Sequence, residues 1–212
     1  MTTPLTGLRA RKKQQTRENI SNQATRLFLE RGFDKVTIAD VAEAADVAKM
    51  TVTNYFPRKE DLALDLGAVF VDMLARTVRE RAPGESALTA LHRAYADAVA
   101  RQDPVIGFSG PEFARMIADS PALVSRLREF HDDRETALAE ALAEQTASHP
   151  DDLRPRVAAA LLGGVHRLLF DETLRRTVAG EPNDRIAAAL AEHVDTAFGM
   201  LEPTLGDYAV RA

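Results

Sequence analysis

The stretch Val36–Phe56, VTIADVAEAADVAKMTVTNYF, constrains this chain more than any other. Ile38, Val41, Ala42 and Ala45 recur at i, i+3, i+4 and i+7, the apolar stripe of a short amphipathic helix. Thr37 stands just before that stripe and Asp40 three residues on, an arrangement in which hydroxyl and carboxylate cap a helix start reciprocally. The pattern breaks at Asp46-Val47, and Asp tolerates the left-handed backbone of a tight turn better than most residues with a side chain. A second helix is expected over residues 48–56. Two short helices joined by so tight a turn predict a helix-turn-helix, whose second helix enters a DNA major groove.

At about 100° per residue, Ala48, Val52, Tyr55 and Phe56 fall on the inner side of that second helix. Met50 and Asn54 point the other way, flanked by Thr51 and Thr53. Lys49 sits at the helix N-terminus, where a cation opposes the helix dipole unless a phosphate lies nearby. That misfit favours a nucleic-acid surface over a merely solvated one.

The longer run GFDKVTIADVAEAADVAKMTVTNYFPRKEDL, Gly32–Leu62, resembles the DNA-binding domain of the TetR family of bacterial transcriptional regulators. Gly32-Phe33, Thr37, Ile38, the run Asp40-Val41-Ala42, the pair Tyr55-Phe56 and the helix opening Lys59-Glu60-Asp61-Leu62 carry the resemblance. It covers Thr16 to about Leu66, beyond which only the layout is alike. Family members usually have Gly at Asp46, Ser at Ala48, Gly at Met50 and an aromatic residue at Thr53. Ala48 therefore loses a helix cap worth about 1 kcal/mol. Met50 and Thr53 alter the face that would meet base edges, so no operator sequence is borrowed from relatives.

The resemblance implies an all-α fold: an N-terminal three-helix helix-turn-helix domain plus a C-terminal helical ligand-binding and dimerisation domain. It also implies a homodimeric repressor released from a double-stranded DNA operator by a small-molecule effector. On that basis Met50, Thr51, Thr53 and Asn54 are expected at base edges, where Asn pairs with adenine and methyl groups pack on thymine. Thr37, Lys49, Tyr55 and Lys59 are expected on phosphates.

Charge divides the chain in the same place. Residues 1–60 carry 11 Lys and Arg against 7 Asp and Glu, a balance of +4, which leaves −9 of the net −5 for the remainder. This asymmetry suggests a phosphate-facing end, and the domains are placed at 1–60, with a basic N-terminal arm, and 61–212. The sequence has no Cys, which removes disulfides and thiolate metal sites. No apolar run approaches the roughly eighteen residues of a membrane span, so no membrane contact and a cytoplasmic location are expected.

Along the chain, residues 1–10, with Pro4 and Gly7, read as a flexible arm. Arg9 there either lies along phosphates or is simply solvated, whereas Lys12 and Lys13 favour contact. A first helix is expected from Arg11 to Arg31, its stripe Ile20, Ala24, Leu27 and Phe28, with Gly32 closing it. A long helix, Lys59 to about Arg81, is expected to turn Leu62, Leu66, Val69, Phe70, Met73 and Leu74 inward. Ser86 opens the next. The loop DPVIGFSGP exposes Val105, Ile106 and Phe108 in pattern, and these either tuck into a core or line a cavity. Helices then follow over 111–119, 121–147, 151–178 and 184–201. Gly163-Gly164 within the third of these implies close packing of another backbone. The last two helices, rich in small residues, suit a homodimer interface or else an intramolecular core.

His131 and Glu135 lie at i, i+4, but with no third ligand at diagnostic spacing they read as a solvated charged face rather than a metal site. His166 either faces a pocket or is a core histidine. Phe70, Met73, Phe108, Phe113, Met116, His166 and Phe170 are the candidate lining of an effector pocket, weighed against ordinary core. No nucleophile with a base and no phosphate loop is found, so neither enzyme nor cofactor is expected. The rivals are a ligand-independent regulator or activator on the same fold, or a helical enzyme or carrier.

Overall fold

The computed structural model describes residues 5–211, and every regular element among them is helical. The first helix, α1, spans Leu5–Arg31 and ends as expected, with Gly32 at φ 87° and its N–H on the Phe28 carbonyl at 2.9 Å. Its start differs from expectation. Residues from Leu5 are helical rather than an arm, because Leu8, Arg9, Ala10, Arg11 and Lys12 are good helix formers that outweigh Gly7. Pro4, the other punctuation of that arm, lies outside the described residues. A one-turn 3-10 helix at Phe33–Lys35 leads to α2 (Ile38–Ala44), α3 (Lys49–Tyr55) and α4 (Lys59–Ala63). Then come α5 (Gly67–Glu80), α6 (Ala87–Ala100, capped by Ser86), a 3-10 turn at Pro104–Ile106 and α7 (Pro111–Asp119). The chain closes with α8 (Pro121–Gln145), α9 (Arg154–Val178), α10 (Asn183–Gly199) and α11 (Glu202–Leu205).

The expected continuous helix Lys59–Arg81 is broken at Leu64–Leu66. The cause is distant in sequence: the Asp65 carbonyl accepts Arg17 Nη2 at 2.8 Å, and its carboxylate accepts the Ser21 hydroxyl. Bonds from α1 thus replace helical ones at this point. The break resets the helical phase, so Leu66 and Val69, expected inside, are exposed, while Leu62, Phe70 and Leu74 are buried. The last expected helix likewise stops at Gly199, and a separate turn, α11, follows.

Two compact units result. One runs to Asp65 and takes in Met116–Arg126; the other holds Leu66–Arg115 and Leu127 onward. In the first, Ile20, Ala24, Leu27 and Phe28 of α1 are buried as their spacing requires, together with Phe33, Val41, Val52, Phe56, Leu62 and Leu123. In the second, one core gathers Leu74, Leu88, Leu91, Tyr95, Ile106, Phe108, Leu138, Leu142, Leu162, Leu169, Leu190 and Phe198. The apolar loop residues Ile106 and Phe108 therefore belong to the core, whereas Val105 is only half-buried.

Arg81 shows how this core treats a buried cation. Its guanidinium donates to the carbonyls of Val78, Glu85 (3.1 Å) and Ala209 (2.6 Å) and to Gln145 Oε1 (3.1 Å). Desolvation lowers its pKa, yet its donors have acceptors on four sides.

Candidate functional site

The helix-turn-helix forms where its local chemistry demands. Thr37 and Asp40 make the reciprocal capping box: Thr37 N–H donates to Asp40 Oδ2 at 2.7 Å, and Asp40 N–H donates to Thr37 Oγ1 at 3.2 Å. The hydroxyl of Thr37, and after it the Thr37 N–H, hold the Asp40 carboxyl below its ordinary pKa. The Thr37 hydroxyl itself donates to Asp40 Oδ2 at 2.7 Å, so its proton is committed within the cap. Asp46 takes the left-handed conformation, φ 54°, and Val47 N–H returns to the Ala42 carbonyl at 3.0 Å. Ala48 is the N-cap of α3 and supplies no side-chain bond.

The two sides of α3 separate sharply. Val52 and Phe56 are buried, while Met50 is 70% exposed and Asn54 and Lys49 are open to solvent. Thr51, Thr53 and Tyr55 are half-buried at the flanks. Ala48, expected on the inner side, is exposed, because as the cap it precedes the helical phase. The Thr53 hydroxyl donates to the Met50 carbonyl at 3.1 Å, leaving its methyl group and an oxygen lone pair. The outward face therefore consists of Lys49, Met50 and Asn54, edged by the threonines.

Two cations brace this unit through aromatic rings. Lys59 Nζ lies 4.2 Å from the centre of the Phe33 ring, and the Arg17 guanidinium stands 4.5 Å over Phe56 while holding Asp65. Asn19 Nδ2 donates to the Ala45 carbonyl at 3.0 Å, fixing α1 against the turn. Arg9, Arg11, Lys12 and Lys13 are exposed along the first turns of α1.

The candidate pocket residues do not all come together. Phe70 and Phe170 meet edge-to-face with ring centres 5.6 Å apart, and both are buried. Phe108 and His166 are buried, and Met73 and Phe113 are half-buried. Met116 instead groups with the first unit. His131, read as solvated, is buried between Phe70 and Phe170, with centroid distances of 5.0 and 5.4 Å. Its neighbour Arg134, which no sequence motif singled out, is 2% exposed and stands 4.2 Å over the Phe70 ring. A signal for both existed: the stripe Leu127, Phe130, Leu138 and Leu142 runs through positions 131 and 134, and the flanking charges hid it. The pair Gly163-Gly164 also departs from expectation. Gly163 faces the Glu135 side chain, 3.4 Å from where a Cβ would be, and Gly164 meets nothing within 4 Å.

Among the described residues no helix is long and apolar enough to cross a membrane. Residues 20–66 match the bacterial regulatory proteins of the tetR family. The HTH-type transcriptional regulator TcmR of Streptomyces glaucescens is 27% identical over 205 residues, covering 94% of this chain and 88% of TcmR. The SmeT–triclosan complex has the same fold, with a TM-score of 0.54 at 17% identity over 86% of this chain and 90% of its own. So has NalD, the secondary repressor of the MexAB-OprM multidrug efflux pump in Pseudomonas aeruginosa, with a TM-score of 0.53 at 21% identity over 89% and 96% of the two chains. Residues 20–66 thus carry the DNA-binding domain of the tetR family, and motif, helical architecture and a relative that spans nearly the whole length make the chain similar to the TetR family of bacterial transcriptional regulators.

Proposed function

We propose that this regulator binds a double-stranded DNA operator as a homodimer, represses transcription, and is released by a small-molecule effector. In this reading residues 1–60 form the DNA-reading domain and 61–212 the effector-binding and dimerisation domain. The protein acts in the cytoplasm, by binding rather than by catalysis. The observation that carries the reading is the division of α3, where Val52 and Phe56 anchor the helix and Met50 and Asn54 are left outside. Exposing Met on a surface helix costs apolar burial unless a partner covers it. Asn54 offers adenine its bidentate pair, Met50 and the Thr53 methyl offer apolar contact to thymine, and Thr51 stands beside them. Lys49, Tyr55 and Lys59 take phosphates; Thr37 does so through its exposed edge, since its hydroxyl proton is already committed to Asp40.

Dimerisation is supported by an apolar stripe on α9. Leu153, Val157, Leu161 and Leu168 (63% exposed) follow at spacings of four, four and seven, with the bare backbone of Gly164 between the last two. Met200, just past α10, is 77% exposed. A second copy covers such a stripe and brings another backbone to Gly164. The effector shifts the population toward a state of lower operator affinity, by no more than its preference for that state.

The test is fluorescence anisotropy with labelled duplexes from the DNA flanking the protein's own gene. One duplex should bind far more tightly than random DNA of equal length, and cell metabolite extract should weaken that binding. Indifference to all fragments would remove the reading. Binding unmoved by any extract would favour a ligand-independent regulator.

A further inference from the structure

Arg134 differs from Arg81, the other deeply buried guanidinium of the second unit. Arg81 has four acceptors, whereas among the described residues Arg134 makes one hydrogen bond, from Nη2 to His131 Nδ1 at 2.9 Å. Among the described residues no carboxylate lies within ion-pair distance of Arg134, and its Nε–H has no acceptor. Because Nδ1 of His131 accepts from Arg134, the ring proton of neutral His131 sits on Nε2, and that N–H is also unmatched. Burial and the Arg134 charge keep His131 neutral, with its pKa pushed down to about 3.

Among the described residues further buried groups are unmatched. His166 on α9 is 1% exposed with both ring nitrogens unpartnered, and Ser109 Oγ in the loop before α7 is buried without a partner. Aromatic rings flank the two imidazoles. Phe70 and Phe170 flank His131, while Tyr95 and Phe198 stand edge-on to His166 at 5.0 and 5.5 Å. Buried polar groups in folded proteins are almost always matched, and a buried cation without a counter-charge is costly. Donors predominate here: Asp171 acts on Arg134 from beyond ion-pair distance, and among the described residues no anion meets the Arg134 Nε–H or the His131 Nε2–H.

We infer that the Arg134 cluster binds a flat organic acid, whose anionic oxygen takes Arg134 and the His131 Nε2–H while its ring system lies against Phe70 and Phe170. This deepens the effector reading and rests on it. His166, able to donate from one nitrogen and accept at the other, is suited to a further oxygen on the same scaffold.

Three probes of one shape test it on the full-length protein by equilibrium dialysis and thermal melting: 1-naphthoate, neutral 1-naphthamide and cationic 1-naphthylmethylammonium. Naphthoate should bind at least tenfold more tightly than either of the others and raise the melting temperature. In Arg134→Met this advantage should vanish, while the ligand-free variant melts higher than the parent because a buried charge without a carboxylate in ion-pair contact has gone. Should Arg134→Met fail to fold, His131→Phe, which removes one donor and keeps a ring, should lose at least threefold in naphthoate affinity. Equal binding of the three probes, or naphthoate affinity unchanged in the folded variant used, overturns the inference and leaves the effector reading standing. Binding of none overturns the site itself. Adding naphthoate to the operator assay then tests the effector reading separately.

Discussion

Arg126 Nε lies 2.8 Å from Asp61 Oδ1, and both side chains are largely buried. Asp61 also accepts the Arg58 backbone N–H at 3.1 Å through its other oxygen, so one carboxylate caps α4 and holds the start of α8 within the first unit. Removing one member of such a pair leaves the other charge without compensation. Arg126→Ala should cost about 3 kcal/mol in urea denaturation, and Arg126→Ala with Asp61→Asn less than the sum of the two single changes. Additive losses would show that the pair is not coupled.

On α3, Asn54→Ala should relax the base preference at one operator position, a loss of roughly 1–3 kcal/mol on the preferred base and little on others. Lys49→Ala should instead weaken all duplexes alike and reduce the slope of log affinity against log salt by about 1. Competition anisotropy across a panel of single-base operator variants separates the two. A changed base preference in Lys49→Ala would reverse its assigned role.

The α9 stripe makes a prediction about assembly. Leu168 is exposed in the protomer, so Leu168→Glu should leave the fold of one copy within about 0.5 kcal/mol of the parent. Sedimentation velocity should nevertheless show a monomer, and operator affinity should fall at least tenfold because the two half-sites are no longer linked. A dimer of unchanged affinity would place the interface elsewhere.

Acid sensitivity follows from the buried imidazoles. His131 has its pKa lowered from 6.5 to about 3, chiefly by burial and then by Arg134 and Arg167, with Asp132 opposing; His166 is lowered by burial, Arg134 and His131. Between the folded and unfolded values only the unfolded chain takes up the proton, so stability is fully present above about pH 6.5 and is lost as the pH falls. At pH 5, His131 alone should account for roughly 2 kcal/mol of loss relative to pH 7. Asp152 and Glu172, both held near pH 2 by arginines, lose their contributions only below the ordinary carboxylate range. Melting curves from pH 7 to 5 should show the decline, and His131→Phe should flatten it.

The motif was readable because its determinants are local. Thr37 and Asp40 are three residues apart, the left-handed Asp46 lies between two short stripes, and the uncapped Ala48 follows from one missing oxygen. The break after α4 was not readable, since Gly67, which adjoins it, is also tolerated within a continuing helix, and the bonds that hold the break come from Arg17 and Ser21 on α1. The exposure of Leu66 and Val69 follows from that break. His131 and Arg134 were hidden for the opposite reason: Asp132, Asp133 and Glu135 make the segment look solvated, although its helical phase buries positions 131 and 134. Periodicity places apolar residues well and says little when a charged residue occupies an inner position.

Asp46 sets one more expectation. Its φ of 54° suits Gly better than any residue with a Cβ. Asp46→Gly should raise stability by up to about 1 kcal/mol in urea denaturation, and the β-branched Asp46→Val should lower it. Equal stability of the two variants would mean that the turn conformation is not what limits this position.

The uncapped start of α3 has a practical corollary. Seven residues without a cap cannot hold helical form alone, so the segment borrows its shape from the bed beneath Val52 and Phe56. Swapping Met50, Thr51, Thr53 and Asn54 between relatives can rewrite target choice on this scaffold, but a synthetic peptide of the same letters would carry no code.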